Sequence, residues 1–355
     1  MEQTRVAAIQ LSLPMPEAAA APCAQDRAPS LHEQLGFELG WDHARYGSVP
    51  PVDQLFQQSP LRQGWQAGRA SFGRRTLRAS PHVRQWLALR CHAWLRGRSF
   101  ETLLVTPNYL QQLEASHCPI TRQPLQEQAG TQQRRIDRVR DDAGYAAGNL
   151  VQMSQQANQA KGDRDFAALQ ALALSLRQGP LQQAGGLDLA SWDRLVTLAS
   201  FVTELPHEQA ARLPLRVLPP NRLRLFNPIQ ALQALLTRQL ATPGWSQRLT
   251  RIESLLGSDS LRADFSRFVL ALAPRVLRSR ELLQREQIRW ALEDAWQDAL
   301  VLKRWTQFAL NLGAAQAEAL VHKAAAKKLS PVHVERHAHP TEGWALERQG
   351  FRAAA

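Results

Sequence analysis

The sequence contains little cysteine and has no long apolar run. Its three cysteines, Cys23, Cys91 and Cys118, are far apart, and no two of them have Cys-x-x-Cys spacing. This argues against a disulfide framework and against a four-ligand zinc site, so we expect no zinc and a reducing, cytoplasmic location. No stretch approaches the roughly 20 apolar residues of a membrane span, so we expect no membrane partner.

The sequence also lacks the short motifs of several large enzyme classes. It has no glycine-rich phosphate loop, no Gly-x-Ser-x-Gly and no His-Glu-x-x-His. P-loop nucleotide hydrolases, serine hydrolases with a nucleophile elbow and zinc peptidases are therefore not indicated. Any chemistry must come from another arrangement of polar side chains.

Arginine supplies nearly all the positive charge. The formal net charge is +12, and there are only five lysines. Nine arginines and no acidic residue lie in the stretch from Arg62 to Arg98, which favours a polyanionic partner because guanidinium groups bind phosphate bidentately. A solvated helix face is the alternative interpretation. We predict a nucleic-acid partner, with DNA favoured over RNA, and these candidate contacts: Arg74, Arg75, Arg78 and Arg84.

Apolar periodicity and helix-cap signals predict an α+β fold that is mostly α. Ser80 and Thr106 each precede a proline and have the form of a helix N-terminus, and Ser191 and Asn227 are predicted caps farther along. Five parts are predicted: a partly irregular N-terminal region (1–60), an Arg-rich helical segment (61–105), a small β–β–α unit (106–175), an all-α domain (185–330) and an irregular tail (331–355).

Residues 134–163, RRIDRVRDDAGYAAGNLVQMSQQANQAKGD, predict two strands and a helix. "RIDRV" alternates as a strand does, the Asp- and Gly-rich stretch after it predicts a tight reversal, and "LVQM" is the returning strand. Ser154 then caps a helix that stops at Gly162. Asp137 comes from the first strand and Asn158 from the helix, so the two can share a polar pocket. One carboxylate and one amide oxygen, completed by water, make a candidate Mg²⁺ or Mn²⁺ site.

This unit resembles the HNH, or ββα-metal, nuclease family. The resemblance covers roughly residues 106–175, and it implies a ββα-metal unit followed by the all-α domain. It also implies divalent-metal cleavage of DNA, with Asp137 and Asn158 as metal ligands, Asn149 orienting the side chain at position 138, and Lys161 as a cation on the phosphate side. The matching residues are Cys118-Pro119-Ile120-Thr121, Pro124-Leu125, Ile136-Asp137-Arg138-Val139, Gly144-Tyr145, Gly148-Asn149-Leu150-Val151 and Asn158-x-x-Lys161-Gly162-Asp163.

Arg138 stands where this family has its base histidine. An arginine is not deprotonated at usable pH, so it cannot take a proton from water, although it can bind a phosphate oxygen bidentately. His117 is the nearest candidate for a replacement base, because an imidazole titrates near neutral pH. Arg134 and Arg135, at the start of the first strand, are further candidate contacts to nucleic acid.

The sequence leaves two functions open. One is a degenerate HNH-like endonuclease with reduced or context-dependent activity. The other is a non-catalytic DNA- or RNA-binding protein, or a scaffold in a multiprotein complex, whose helical domain binds a protein partner. In the second case the β–β–α unit would be structural and would bind no metal.

Overall fold

The computed structural model describes residues 29–279 and 281–329, and this part of the chain is mostly helical, as the sequence predicts. Two antiparallel two-stranded sheets occur in it: β1 (Arg134–Arg138) with β2 (Leu150–Ser154), and β3 (Gln183–Ala184) with β4 (Leu187–Asp188). Its α-helices are α1 (Leu31–Arg45), α2 (Pro60–Phe72), α3 (Pro81–Leu95), α4 (Pro107–Gln112), α5 (Gln155–Lys161), α6 (Phe166–Gln178), α7 (Leu189–Phe201), α8 (His207–Arg212), α9 (Pro228–Leu240), α10 (Trp245–Glu253), α11 (Asp259–Ser279), α12 (Arg285–Ala295), α13 (Ala299–Leu312) and α14 (Ala314–Ala326).

Local capping signals locate several helix starts correctly. The side-chain oxygens of Ser80, Thr106 and Ser154 each accept a hydrogen bond from the backbone N–H three residues later, at 3.2, 3.2 and 3.3 Å. Such caps satisfy one of the N–H groups that a helix start leaves without a partner. Helix α5 ends at Gly162, which has a positive φ of 55°, as predicted.

Of two further predicted caps, Ser191 is misplaced, and Asn227 occupies the N-cap position without a capping hydrogen bond. Ser191 lies inside the first turn of α7, because Asp188 begins that helix by accepting a hydrogen bond from the Ser191 N–H at 2.8 Å. Asn227 does precede α9, but its side chain makes no capping bond. Its amide instead donates to the carbonyls of Ser200 and Thr203, at 2.8 and 2.9 Å, and so connects α9 to the end of α7.

The described residues cover the predicted outer regions only in part. Within the region predicted to be partly irregular, 1–60, the helix α1 begins with a reciprocal cap in which the side chains of Ser30 and Glu33 each accept from the other's backbone N–H. Residues 1–28 and the predicted tail, 331–355, lie outside the described residues. Within the described ranges, none of the helices combines the length and apolar character that crossing a membrane requires.

Two hydrophobic cores meet at the β1–β2 hairpin. The larger core includes Cys118, Val151 and Met153 and continues through α5, α6 and α7 to the C-terminal helices. The smaller core lies among α1, α2, α3 and α4 and includes Tyr145 and Leu150. The hairpin therefore lies between the N-terminal helices and the rest of the described chain, and both cores fix its position.

Helices α1 and α2 cross in backbone contact, which a glycine on each helix makes possible. A Cβ on Gly64 would lie 1.9 Å from the carbonyl oxygen of Phe37, and a Cβ on Gly40 would lie 2.0 Å from that of Leu61. Both obstacles are backbone atoms, so no side-chain rotation can relieve the clash. Any larger residue at either position must therefore separate the two helices.

We expect Gly64→Ala to lower the free energy of unfolding, measured by urea denaturation, by about 2 kcal/mol, because forced repacking of a tight contact outweighs the gain in helix propensity. Gly257→Ala is the matched control, since no heavy atom lies within 4 Å of the added Cβ. The control should change stability by less than about 0.5 kcal/mol. Equal stability of Gly64→Ala and the wild type would contradict the close crossing.

Candidate functional site

The hairpin and α5 bring together most of the residues that the HNH resemblance selects. The antiparallel register pairs Asp137 with Val151 and Arg138 with Leu150. Ser154 both ends β2 and caps α5, so the helix folds back against the hairpin directly. Seven predicted residues lie on these elements: Arg134, Arg135, Asp137 and Arg138 on β1, Asn149 just before β2, and Asn158 and Lys161 on α5.

Asp137 and Lys161 form an ion pair between β1 and α5. The Lys161 Nζ lies 3.1 Å from Asp137 Oδ2, and the two side chains are 1% and 15% exposed. Asp137 Oδ2 accepts no hydrogen bond of good geometry, so the contact is mainly coulombic, while the ammonium also donates to the Gly162 carbonyl at 3.0 Å. Burial raises the pKa of the Asp137 carboxyl, and Lys161 opposes that increase. Lys161 therefore neutralises Asp137 and does not extend into solvent toward a phosphate.

Arg138 is buried, and its guanidinium is used within its own loop. It donates to the carbonyls of Asp141 and Ala143, both at 3.1 Å, and to the Asp141 carboxylate at 3.0 Å. The group also lies 5.0 Å from the centre of the Tyr145 ring, a favourable cation–π distance. These contacts occupy donors that a bidentate phosphate contact would need, and they hold the β1–β2 loop in shape.

Asn149 holds the same loop from the other side. Its fully buried side chain accepts from the Arg140 N–H at 2.9 Å and donates to the carbonyls of Arg140 and Gly144, at 2.9 and 3.0 Å. All three hydrogen bonds therefore join the amide to backbone atoms of the loop, and none of the three involves the side chain of Arg138. Its observed role is to fix the loop.

His117 lies toward the other end of the hairpin from Asp137. The neighbouring Cys118 accepts a hydrogen bond from the Ser154 N–H at 3.3 Å, and Ser154 is three residues from the register partner of Asp137, about 10 Å along a strand. The His117 ring contacts Trp290 edge-on, with ring centres 5.4 Å apart. Since a general base must act within about 3 Å or through one water, this structure does not bring His117 to Asp137.

The residues present are a poor fit to the divalent cation that the resemblance implies. Asn158 is half-buried one turn before Lys161, but the carboxylate of Asp137 is already neutralised. Mg²⁺ requires near-ideal octahedral coordination by oxygen. Among the residues described, no three His, Cys, Asp or Glu side chains converge as ligands. A Mg²⁺ or Mn²⁺ site at Asp137 and Asn158 stays a prediction, and the ion pair argues against it.

The arginines predicted to bind nucleic acid lie where α2 joins α3. Arg74, Arg75 and Arg78 are in the exposed loop between the helices, and Arg84 is exposed near the start of α3. Arg84 donates one hydrogen bond, at 2.8 Å, to the carbonyl of Ala79. None of the four forms an ion pair with a carboxylate of the described residues, so their charges are available to an external anion.

Arg45 adds a fifth exposed guanidinium to this surface. The Leu77 N–H donates to the Arg45 carbonyl at 2.8 Å, which places the end of α1 beside the α2–α3 loop. The sequence did not single out Arg45, because it lies outside the acid-free run and close to Asp42. That carboxylate pairs instead with buried Arg90. We call this surface the arginine cluster, and it consists of Arg45, Arg74, Arg75, Arg78 and Arg84.

Arg90 and the two predicted contacts at the start of β1, Arg134 and Arg135, differ in their availability. Arg90, although part of the acid-free run, is buried against Asp42. Arg134 is half-buried and pairs with Glu127 at 3.1 Å. Arg135 is exposed, and within the described part of the chain it donates only to glutamine side chains, so no carboxylate there neutralises its charge. Of Arg134 and Arg135, Arg135 is the one that keeps its charge accessible.

Comparisons with protein-family models, with curated proteins and with solved structures found no match to this chain. The interpretation of the site therefore rests on its own contacts. Two features characterise the site: a hairpin network whose charged groups are paired with one another, and an arginine cluster whose members have no carboxylate partner among the described residues.

We expect Lys161→Met to lower the free energy of unfolding at pH 8 by about 3 kcal/mol, because breaking a buried ion pair leaves an uncompensated carboxylate. The double variant Asp137→Asn/Lys161→Met should recover most of this loss, since it leaves no charge at either position. Urea denaturation of the wild type, the single variants and the double variant measures the coupling. A double variant no more stable than Lys161→Met would contradict it.

The variant Lys161→Met should lose less stability, relative to the wild type, at low pH than at high pH. Burial raises the folded-state pKa of Asp137, and removing Lys161, which opposes the increase, should raise it further. A carboxyl with a raised folded pKa contributes stability below its unfolded pKa of about 3.9 and loses that contribution as pH rises through the folded pKa. The deficit of Lys161→Met should therefore be smaller at pH 5 than at pH 8. Equal deficits at the two pH values would show that Asp137 is not the group affected.

Proposed function

We propose that the protein binds nucleic acid, DNA in preference to RNA, through the arginine cluster. The observation that carries the proposal is the grouping of five exposed guanidinium groups on adjoining segments, none of them paired with a carboxylate of the described residues. A phosphate backbone offers repeating negative charge to such a surface, and arginine can bind phosphate with two parallel hydrogen bonds. Backbone contacts of this kind carry little sequence information, so binding should depend weakly on base sequence.

Exposed arginines lie near both ends of α3, which begins at the arginine cluster. This helix has 15 residues and spans about 22 Å. Arg84 lies near its start, and exposed Arg96 follows its last residue. Burial, Arg96 and Arg138 together lower the pKa of His92, which lies on the last turn of this helix. At about 3.4 Å per base pair, such a surface matches roughly six base pairs of duplex.

We further propose that the hairpin and α5 form an HNH-like unit that supports the fold and does not cleave DNA. Three contacts support this part. Lys161 neutralises Asp137, Arg138 is bonded to its own loop, and Asn149 is bonded to the backbone of that loop. Hydrolysis would need an accessible base or a metal-bound water, and these contacts occupy the side chains that would provide them.

A charge-matched pair of triple variants tests the binding surface. Arg74→Gln/Arg75→Gln/Arg78→Gln should weaken binding to a short DNA duplex at 0.1 M salt by at least ~10-fold. The slope of log affinity against log salt should become shallower by up to about 2.7, since each phosphate contact contributes about 0.9. Fluorescence anisotropy over a salt series measures both. The control carries the same loss of charge at exposed arginines elsewhere: Arg212→Gln/Arg251→Gln/Arg278→Gln.

The control triple should keep most of the affinity and the slope. If both triples lose affinity equally, net charge and not the cluster determines binding. If the wild type fails to bind DNA or RNA even at low salt, the proposed function is wrong. Stronger binding to an RNA duplex than to DNA of the same sequence would overturn the preference for DNA.

The wild type is expected not to nick supercoiled plasmid with Mg²⁺ or Mn²⁺, because Lys161 neutralises the carboxylate that would bind the metal. Arg138→His should gain no activity, since it leaves the Asp137–Lys161 ion pair in place. Gel analysis with each metal and with EDTA is the measurement. Nicking that requires metal and is lost in Asp137→Ala would reinstate the endonuclease alternative.

A further inference from the structure

A cavity of about 650 Å³ lies between the chain that leads into the β1–β2 hairpin and the helices α9 and α12. Its walls come from the chain after α4, the segment before α9, the end of α9 and the start of α12. This is the size range of pockets that hold small organic ligands. The cavity is separate from the arginine cluster, and none of the cluster residues lines it.

Arg238 gives this cavity a positive charge that no carboxylate of the described residues pairs with. Arg238, on α9, is half-buried, donates to the Pro219 carbonyl at 3.1 Å and forms no ion pair with a carboxylate of the described residues. Arg289, on α12, also lines the cavity, and its Nε lies 3.3 Å from Glu293. Burial and the nearby Arg289 lower the pKa of Arg238. A half-buried cation beside a second cation is stabilised by a bound anion.

Neither of the two acidic side chains that line the cavity pairs with Arg238 or Arg289. Glu114 is 48% exposed and lies 2.8 Å from His82, so it already has a cationic partner when His82 is protonated. Glu286 lies on the first turn of α12 and forms no ion pair with a described arginine or lysine.

Apolar side chains also line the cavity. Leu113, Leu218, Pro219 and Ile288 line it, and the first three are buried. Inorganic phosphate would satisfy the arginines but would leave this surface and most of the volume unfilled. A ligand with an organic body would cover the apolar side chains while its charged group reached Arg238 and Arg289.

We infer that this cavity binds a small organic phosphate monoester. A phosphate monoester carries between about −1.5 and −2 charges at pH 7. It therefore neutralises two neighbouring guanidinium groups more fully than a ligand with a single carboxylate does. Arginine binds its oxygens bidentately. The apolar side chains receive the organic body. This site is independent of the proposed DNA contact, since it uses different residues in a different part of the fold.

Calorimetric titration of the full chain with phenyl phosphate, inorganic phosphate, benzoate and phenol tests the inference. Phenyl phosphate should bind at least ~10-fold tighter than benzoate, which has one charge, and tighter than inorganic phosphate, which has no apolar body. Phenol should not bind measurably. Benzoate binding as tight as phenyl phosphate would overturn the phosphate class, and no phenyl phosphate binding at millimolar concentration would overturn the site.

Two variants locate the binding. Arg238→Gln should weaken phenyl phosphate at least ~10-fold, as expected for loss of a charge-assisted contact, whereas Arg251→Gln, an exposed arginine outside the cavity, should change nothing. Ile288→Trp fills the apolar side and leaves both arginines, so it should weaken phenyl phosphate but not inorganic phosphate. Melting temperatures identify any variant that fails to fold. Unchanged phenyl phosphate affinity in folded Arg238→Gln or in folded Ile288→Trp would overturn the assignment.

Discussion

The buried carboxylate of Glu293, on α12, connects the turn that precedes the β1–β2 hairpin to the C-terminal helices. It accepts from the Leu218 N–H at 2.9 Å and pairs with Arg122 at 3.2 Å and with Arg289 at 3.3 Å. Burial raises the pKa of Glu293, and Arg289 and Arg122 oppose the increase. A buried charge costs several kcal/mol unless it is compensated. The turn that carries Arg122, the segment before α9 and α12 are therefore held in one arrangement, and the cavity lies among these segments.

Buried charges are also compensated by internal partners at the hairpin, in a smaller network. The resemblance inferred from the sequence predicts that an aspartate, a base and an asparagine act there on a substrate and a metal. Here Asp137 is neutralised by Lys161, and Arg138 and Asn149 bond to the loop between the strands. Polar groups that are satisfied internally stabilise a fold but have little capacity left for a ligand. The resemblance in residue spacing is therefore compatible with a structural role.

Local signals predicted local structure, and they failed where distant residues decide. The caps at Ser80, Thr106 and Ser154 need only the next three residues, so the sequence locates them. The contact between Arg122 and Asp294 joins residues 172 positions apart, and no periodicity indicates it. The approach of Lys161 to Asp137 depends on how α5 packs on β1. The sequence therefore predicts which residues meet at the hairpin. It does not predict which partners their side chains contact, and those partners decide the chemistry.

Arginine illustrates why composition alone cannot assign a binding surface. The acid-free run contains Arg90, which is buried against an aspartate 48 positions away, and also Arg74 and Arg75, which are exposed. Exposed charges act through water and are screened by salt over about 10 Å at 0.1 M, whereas a half-buried cation such as Arg238 is screened much less. A polymer bound at the arginine cluster should therefore respond steeply to salt, and a small anion in the cavity should respond weakly. The two inferred sites thus differ in the dielectric environment of their arginines. This difference follows from how the fold buries each arginine, and a count of charges does not show it.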